Sequence, residues 1–151
     1  MNCGNGGSLR ITNKLTVAFW IKANQPTLNI HYPIAKHPGW AFWVDGIWSE
    51  AKNNIGTFYN NSVSITYTGA FPSSSRETWV HLVFTYDNPN TELFVNGVSK
   101  GIRTDFTDDI ATNANLNIGR RTGGEWLFGG LIDDVRIYNR ALSEGEIQYL
   151  Y

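Results

Sequence analysis

The sequence predicts an all-β protein, an antiparallel two-sheet sandwich or jelly roll that is closed by one short C-terminal helix. Three observations lead to this prediction. Many short apolar runs alternate with the two-residue period of a strand, turn residues separate these runs at short intervals, and no long helical period occurs before the C-terminus. Aromatic residues make up 14% of the 151 residues and glycine occurs 15 times, which suits short strands and tight turns.

The strands differ in how many of their faces are apolar. Residues 16–22 and 79–86 are apolar on both faces, which is typical of central strands in stacked sheets. Residues 62–67 alternate apolar residues with serine and threonine, so one side of that strand should face water. Shorter runs are also predicted as strands: residues 9–12, 32–36, 40–44, 55–59, 93–95, 116–118 and 131–138.

Turn and capping residues mark where the elements end. Asp45-Gly46, Asn96-Gly97 and Gly123-Gly124 predict tight turns. Near the C-terminus, Ser143 followed three residues later by Glu146 predicts a capping box at the start of a short helix. These elements extend over residues 1–151, so we expect a single domain. We also expect it to be excised from a longer protein, because the chain begins close to a strand pattern and ends close to a helix.

Charge and cysteine content limit the partners. Lys and Arg (12) nearly balance Asp and Glu (13), so no overall field favours nucleic acid or an anionic membrane. No stretch approaches the ~18 consecutive apolar residues of a membrane-spanning helix. The lone Cys3 cannot form an internal disulfide, so stability must come from packing, with or without a metal. We therefore expect neither a nucleic-acid partner nor membrane insertion.

Several segments occur in the same order as in a known family. Residues 79–87 followed by 92–97 resemble the paired strands of LamG-like jelly-roll domains, in which a Trp-x-His strand leads through a short loop to a strand that ends in Asn-Gly. Residues 130–147 are similar to that family's C-terminal signature, and residues 9–11 and 16–22 resemble its first two strands. The resemblance implies a concanavalin A-like fold, which lectins, pentraxins, carbohydrate-binding modules and several glycanases share.

The sequence does not predict catalysis. Retaining glycanases of this fold place carboxylates along one strand, as in Glu-x-Asp-x-x-Glu, because nucleophile and acid must flank the bond at ~5–5.5 Å. No predicted strand has such a pattern. The histidines His31, His37 and His81 have no serine, cysteine or carboxylate partner nearby in the sequence, and His81 resembles the family's structural strand histidine. We therefore expect a non-enzymatic domain without catalytic residues.

Sugar rings bind to aromatic platforms that are edged by amide, carboxylate or hydroxyl groups. Among six tryptophans, Trp20 and Trp79 lie on central strands and Trp40 shares a face with apolar residues, so burial is expected for these three. The candidate ligand-binding residues are the remaining rings and their polar neighbours: Trp43, Trp48, Asp45, Tyr59, Asn60 and Trp126. The alternative for each of these rings is ordinary loop packing.

These predictions favour a lectin-like, carbohydrate-binding module whose partner is a glycan or polysaccharide. We expect it outside the cell or at the cell surface, as part of a larger protein. The alternative is a protein–protein interaction or adhesion module of a surface or particle protein, with a protein surface as its partner. In that case exposed tryptophans and tyrosines would be interface anchors.

Asp133 is the candidate metal ligand. If Val135 and Ile137 face the core, period-two counting points Asp133 inward, where a carboxylate must be paired, hydrogen-bonded or bound to a metal. The resemblance implies a structural calcium that joins the C-terminal strand to the N-terminal loop, here residues 5–8, although relatives often have an aspartate in that loop and this chain has none. The alternative is that Asp133 accepts backbone N–H groups at the start of its strand.

Overall fold

The structure is a computed structural model. It describes residues 1–23, 30–45, 53–59, 63–72, 77–107, 109–110, 112–121, 123 and 126–151. Within these ranges the strands are β1 (Lys14–Ala23), β2 (Ile30–Lys36), β3 (Trp40–Asp45), β4 (Asn54–Tyr59), β5 (Val63–Tyr67), β6 (Val80–Asp87), β7 (Asn90–Val95), β8 (Val98–Arg103), β9 (Asn117–Ile118) and β10 (Gly130–Tyr138). One helix, α1 (Glu144–Gln148), follows them.

The strands form two antiparallel five-stranded sheets. The first sheet has the order β10-β1-β6-β7-β8 and the second has the order β5-β4-β3-β2-β9. In the first sheet, β1 is therefore bonded to β10 on one side and to β6 on the other. This arrangement confirms the predicted two-sheet jelly-roll sandwich with one short C-terminal helix.

The core lies between the two sheets and follows the predicted alternation. Val17, Phe19 and Ile21 of β1 point inward and have no exposed surface. The rings of Phe42 and Phe84, from opposite sheets, stack with their centroids 4.1 Å apart. Burying apolar side chains of this size contributes roughly 1.5–3 kcal/mol each, and this packing holds the sheets together.

A short helix covers part of the outer face of the first sheet. Ala18, Val83 and Phe94 point outward and pack against Ile147 of α1 and nearby residues. The capping box at Ser143 is confirmed, since its side chain accepts the N–H of residue 146. At about 1.5 Å per residue, five helical residues span only ~8 Å, whereas the ten-residue β1 spans ~33 Å. Much of this outer face therefore extends beyond the helix.

Two differences from the predicted strands have clear causes. Residues 9–12 do not form a strand: Gly7–Leu9 make one 3-10 turn, and Ile11 enters the core without a strand partner. The unpredicted strand β8 pairs with β7 through the predicted Asn96-Gly97 turn, in which both residues have positive φ, as a type I′ turn requires. As an edge strand with mostly exposed residues, β8 lacks the apolar alternation that identifies strands in a sequence.

The packing of Trp43 on the second sheet requires glycine at position 56. Gly56 of β4 lies opposite Trp43 of β3, and a Cβ placed on Gly56 would lie 2.2 Å from the indole and 2.6 Å from the carbonyl oxygen of Ile65. Real Cβ atoms do not approach other atoms this closely. The indole of Trp43 therefore occupies space that only glycine leaves open.

We expect Gly56→Ala to lower the free energy of unfolding by about 1–3 kcal/mol, because the added methyl group must displace the indole or the strand. Urea denaturation followed by tryptophan fluorescence measures this change. Gly129→Ala is the matched control, since a Cβ at that position meets no atom within 4 Å. Equal stability of the two variants would contradict this account of Trp43 packing.

Candidate functional site

The predicted aromatic segment is more buried than expected. Trp43 is only 5% exposed and packs with Tyr32 and its neighbours on the outer face of the second sheet, so it is not an open platform. Tyr59 is 1% exposed and stacks on Phe106 at 4.6 Å, which makes it a core residue rather than part of an accessible edge. Asp45 is half-buried at the end of β3. Two further predicted residues, Trp48 and Asn60, lie outside the described residues.

Trp126 is accessible. Its side chain is 43% exposed, and its backbone has a positive φ of 60°. The carbonyl oxygen of Trp126 accepts the N–H of Tyr32 at 3.3 Å, which anchors this loop to β2 of the second sheet. The neighbouring Leu127 is 60% exposed, so the surface here is apolar.

A groove on the outer face of the first sheet combines tryptophan rings with carboxylates. Among the described residues it is lined by Trp20, Trp79, Asp133 and Asp134, and its volume is about 570 Å³. Trp79 is 40% exposed and both aspartates are exposed. A groove of this volume falls in the usual range of ligand sites, ~300–1,000 Å³. We call it the Trp20–Trp79 groove.

A β-bulge brings both aspartates to the groove. Ala18 of β1 pairs with Arg136 and Trp20 pairs with Asp133, so β10 has one more residue than β1 between these pairs. The extra residue allows Asp134 to adopt a φ of 47° and reverses the alternation beyond it. Val135 and Ile132 both pack against the core, and Asp133 faces outward. The prediction that Asp133 points inward is therefore wrong.

Hydrogen bonds fix the two carboxylates differently. Asp134 forms a bidentate salt bridge with Arg136, with N–O distances of 2.9 and 2.7 Å. Asp133 accepts the backbone N–H of Asp134 through Oδ1 at 2.8 Å. The Arg136 guanidinium neutralises one of the two carboxylate charges, so the groove keeps a net negative charge.

Trp20 is held in place by two other rings. It pairs with His81 of β6 in the sheet, and its indole stacks on the imidazole at 4.9 Å and on Tyr151 at 5.8 Å. His81 is 2% exposed, and within the described part of the chain its Nδ1 has no hydrogen-bond partner. Burial lowers the pKa of His81 to about 4, against opposing attraction from Asp134. The imidazole is therefore neutral near pH 7, and the indole of Trp20 stacks on an uncharged ring.

The expectation that Trp20 and Trp79 belong to the core is therefore wrong. Both rings point away from the second sheet, Trp79 is 40% exposed, and Trp20 is partly exposed. The sequence contained a signal for this outcome. Central strands with two apolar faces need two covering layers, and the only helix that the sequence predicts near them is short.

The described residues do not fit a calcium ion that joins Asp133 to the N-terminal loop. No group of three His, Cys, Asp or Glu side chains that could hold a metal occurs among them. Gly7 and Ser8 line a cleft with Lys14 at the start of β1, whereas Asp133 pairs with Trp20, six residues further along β1 and about 20 Å away at ~3.3 Å per residue. The loop and the carboxylate are too far apart to share an ion.

Two antiparallel five-stranded sheets and one short C-terminal helix define a jelly-roll β-sandwich domain. Residues 2–148 match a laminin-G family model that is described as the concanavalin A-like lectin/glucanases superfamily, and the chain belongs to that family. This match confirms the resemblance inferred from the strand motifs and the C-terminal signature. None of the described helices is long and apolar enough to cross a membrane.

The chain is similar to part of a receptor, to one domain of an enzyme and to a pentraxin. It is 30% identical over 78 residues to adhesion G-protein coupled receptor V1 of Danio rerio, a match that covers 50% of this chain and 1% of the receptor. Domain 4 of an extracellular arabinanase from Geobacillus stearothermophilus, solved with arabinotriose, has a TM-score of 0.68 and 27% identity over 95% of this chain and 68% of that one. A heptameric pentraxin from Limulus polyphemus has a TM-score of 0.75 and 17% identity over 92% and 70% of the two chains.

We expect the domain to lose stability as the pH falls from 6.5 towards 4. The pKa of His81 lies near 4 in the folded state against an ordinary 6.5, so the unfolded chain binds a proton first. The contribution of neutral His81 to the free energy of unfolding is complete above pH 6.5 and is lost as the pH falls towards 4. Melting temperatures across this range measure the effect.

His81→Phe keeps a flat ring against Trp20 and removes the titrating group. Between pH 6.5 and 4 its melting temperature should fall less than that of the wild type. Parallel curves for the two proteins would show that His81 does not cause the acid sensitivity.

Proposed function

We propose that this domain is a non-catalytic carbohydrate-binding module that holds a sugar ring in the Trp20–Trp79 groove. One observation supports this site above the others: an accessible Trp79 ring lies in a groove of suitable volume together with two outward-facing carboxylates. The C–H face of a sugar ring packs on an indole, and the carboxylates accept hydrogen bonds from its hydroxyl groups. Trp126 offers an exposed ring without such described partners.

The ligand we propose is a neutral oligosaccharide. Two carboxylates and one guanidinium give the groove a net negative charge, which disfavours anionic glycans. The arabinanase domain, at 27% identity, was solved with a neutral oligosaccharide, arabinotriose. That likeness supports the ligand class without fixing the sugar.

The arrangement of the carboxylates supports binding rather than hydrolysis. Asp133 and Asp134 are adjacent in sequence at the bulge, and both line the same groove. A glycosidase needs one carboxyl group on each side of the scissile bond, one as acid and one as nucleophile or base. Asp134 is moreover engaged by Arg136 in a bidentate pair, which favours a fixed carboxylate over an acid.

A second candidate function is adhesion through a protein surface. The match to the Danio rerio adhesion receptor supports it, as does the exposed apolar pair Trp126 and Leu127 beside the second sheet. This surface is separate from the Trp20–Trp79 groove, so the two functions predict different critical residues. Under either function we propose an extracellular or cell-surface location within a larger protein, because one relative is an adhesion receptor and another is an extracellular enzyme.

We expect wild-type protein to bind neutral oligosaccharides such as arabinotriose with a Kd of roughly 1 mM to 1 μM, since one platform makes few contacts. Trp79→Ala should weaken binding at least tenfold, which corresponds to a loss of about 1.4 kcal/mol of stacking. Isothermal titration calorimetry measures both. The melting temperature should fall by only a few degrees, because Trp79 is 40% exposed, and it checks that the variant is folded.

Trp126→Ala is the matched control, since its ring is exposed to a similar extent, 43%, but lies outside the groove. It should bind as the wild type does. Binding that is lost with Trp126→Ala and kept with Trp79→Ala would move the site to the second sheet. If the wild type binds no glycan on an array, the proposed carbohydrate function is wrong. If it releases a product from any glycan, the proposal that the domain is non-catalytic is wrong.

A further inference from the structure

A lysine is completely buried at the end of β2. Lys36 is 0% exposed, although an ammonium group is strongly hydrated in water. Burying such a charge is unfavourable unless the protein replaces the lost water contacts. Burial and, secondarily, repulsion from Arg10 lower the pKa of Lys36. The surroundings of the ammonium group show how it is nevertheless accommodated.

Three oxygen atoms replace the water. Lys36 Nζ donates to Oδ1 of Asn5 at 2.8 Å, to the carbonyl oxygen of Thr112 at 2.8 Å and to the carbonyl oxygen of Ala114 at 2.9 Å. An ammonium group has three N–H donors, so each donor has an acceptor. The Asn5 amide is itself oriented, because its nitrogen donates to the carbonyl oxygen of Asn113 at 2.9 Å.

These contacts join segments that are distant in the sequence. The partners of Lys36 lie 31, 76 and 78 residues away. They belong to the N-terminal segment and to the residues that precede β9, which are also bonded to each other through Cys3 and Leu116. The Cys3 N–H donates to the Leu116 carbonyl oxygen, and the Leu116 N–H donates to Gly4, both at 2.8 Å. The ammonium group therefore lies where the N-terminus is tied to the second sheet.

We propose that this oxygen-lined site binds a singly charged cation and that the chain fills it with its own lysine ammonium group, so that the N-terminal segment is fixed without a metal ion. The ligands are one amide and two carbonyl oxygens, which suit a cation. Calcium takes six to eight oxygen ligands and commonly uses carboxylates, none of which contacts Nζ among the described residues. Such a neutral site, close to Arg10, selects a singly charged ammonium over a divalent ion.

The test is chemical rescue of a shortened side chain. Lys36→Ala removes the atoms of propylammonium, so adding propylammonium chloride should raise its melting temperature with saturation. Lys36→Met keeps most of the side-chain volume, so it leaves no room for the added ion. It also leaves the three acceptor oxygens without a donor. It should melt roughly 6–15 °C below the wild type, because three buried oxygens lose their donor, and it should not respond to propylammonium.

Hydrogen exchange locates the effect. In Lys36→Met the amides of Cys3 and Leu116 should exchange at least tenfold faster, because the N-terminal segment detaches before the sheets open. Asn5→Ala removes one acceptor and should have a smaller effect in the same direction, which keeps the test decisive if Lys36→Ala does not fold. Lys100→Met, at an exposed lysine, is the control and should leave both readouts unchanged.

Three outcomes would overturn the proposal. Wild-type stability and exchange in both Lys36→Met and Asn5→Ala would show that the ammonium contacts are dispensable. An equal response of Lys36→Ala and Lys36→Met to propylammonium would show a general salt effect. Rescue of Lys36→Ala by calcium chloride and not by propylammonium would show a metal site rather than an ammonium site.

Discussion

The outer face of the first sheet is longer than the helix that covers it, and the candidate site follows from this mismatch. The two central strands, β1 and β6, are apolar on both faces, and the second sheet can bury only one of them. Helix α1 covers Ala18, Val83 and Phe94 with five residues. Beyond it the next outward residues are Trp20 and His81, followed by Trp79, and both indoles are partly exposed to water. The groove is the part of this face that the described residues leave open.

The bulge in β10 determines the chemistry of that groove. With regular alternation Asp133 would point into the apolar core, where an unpaired carboxylate is unfavourable. One extra residue, with Asp134 in the left-handed region, turns both carboxylates outward and returns Ile132 to the core. The same irregularity thus relieves a buried charge and adds two hydrogen-bond acceptors to an aromatic surface. Bulges are common where a strand must reorient a side chain near a functional site.

Period-two counting predicted the scaffold wherever strands are regular. Trp40, Phe42 and Val44 point inward as expected, and the capping box at Ser143 starts the helix. The same counting placed Trp43 correctly on the opposite face of β3 but could not show that the face is packed, because the space for its indole comes from Gly56 on another strand.

The candidate site was less accessible to sequence reasoning. The orientation of Asp133 depends on a bulge that period-two counting does not anticipate, and the exposure of Trp79 depends on the short reach of a helix that lies more than sixty positions later in the chain. Residues of the groove come from β1, the start of β6 and β10, which are adjacent only because of the strand order in the first sheet. Sequence patterns identify faces of single strands, whereas this site is a property of three strands together.

The residues around the ammonium group of Lys36 and those that form the Trp20–Trp79 groove lie near opposite ends of β1. Ile110, two positions before the Lys36 partner Thr112, donates its N–H to Thr12, just before β1 begins. Trp20 lies six residues beyond Lys14, the first residue of β1, which is about 20 Å along the strand at ~3.3 Å per residue. Substitutions separated by more than ~10 Å and without shared partners have nearly additive effects on stability. The aromatic and acidic residues of the groove can therefore change without disturbing the buried ammonium group of Lys36.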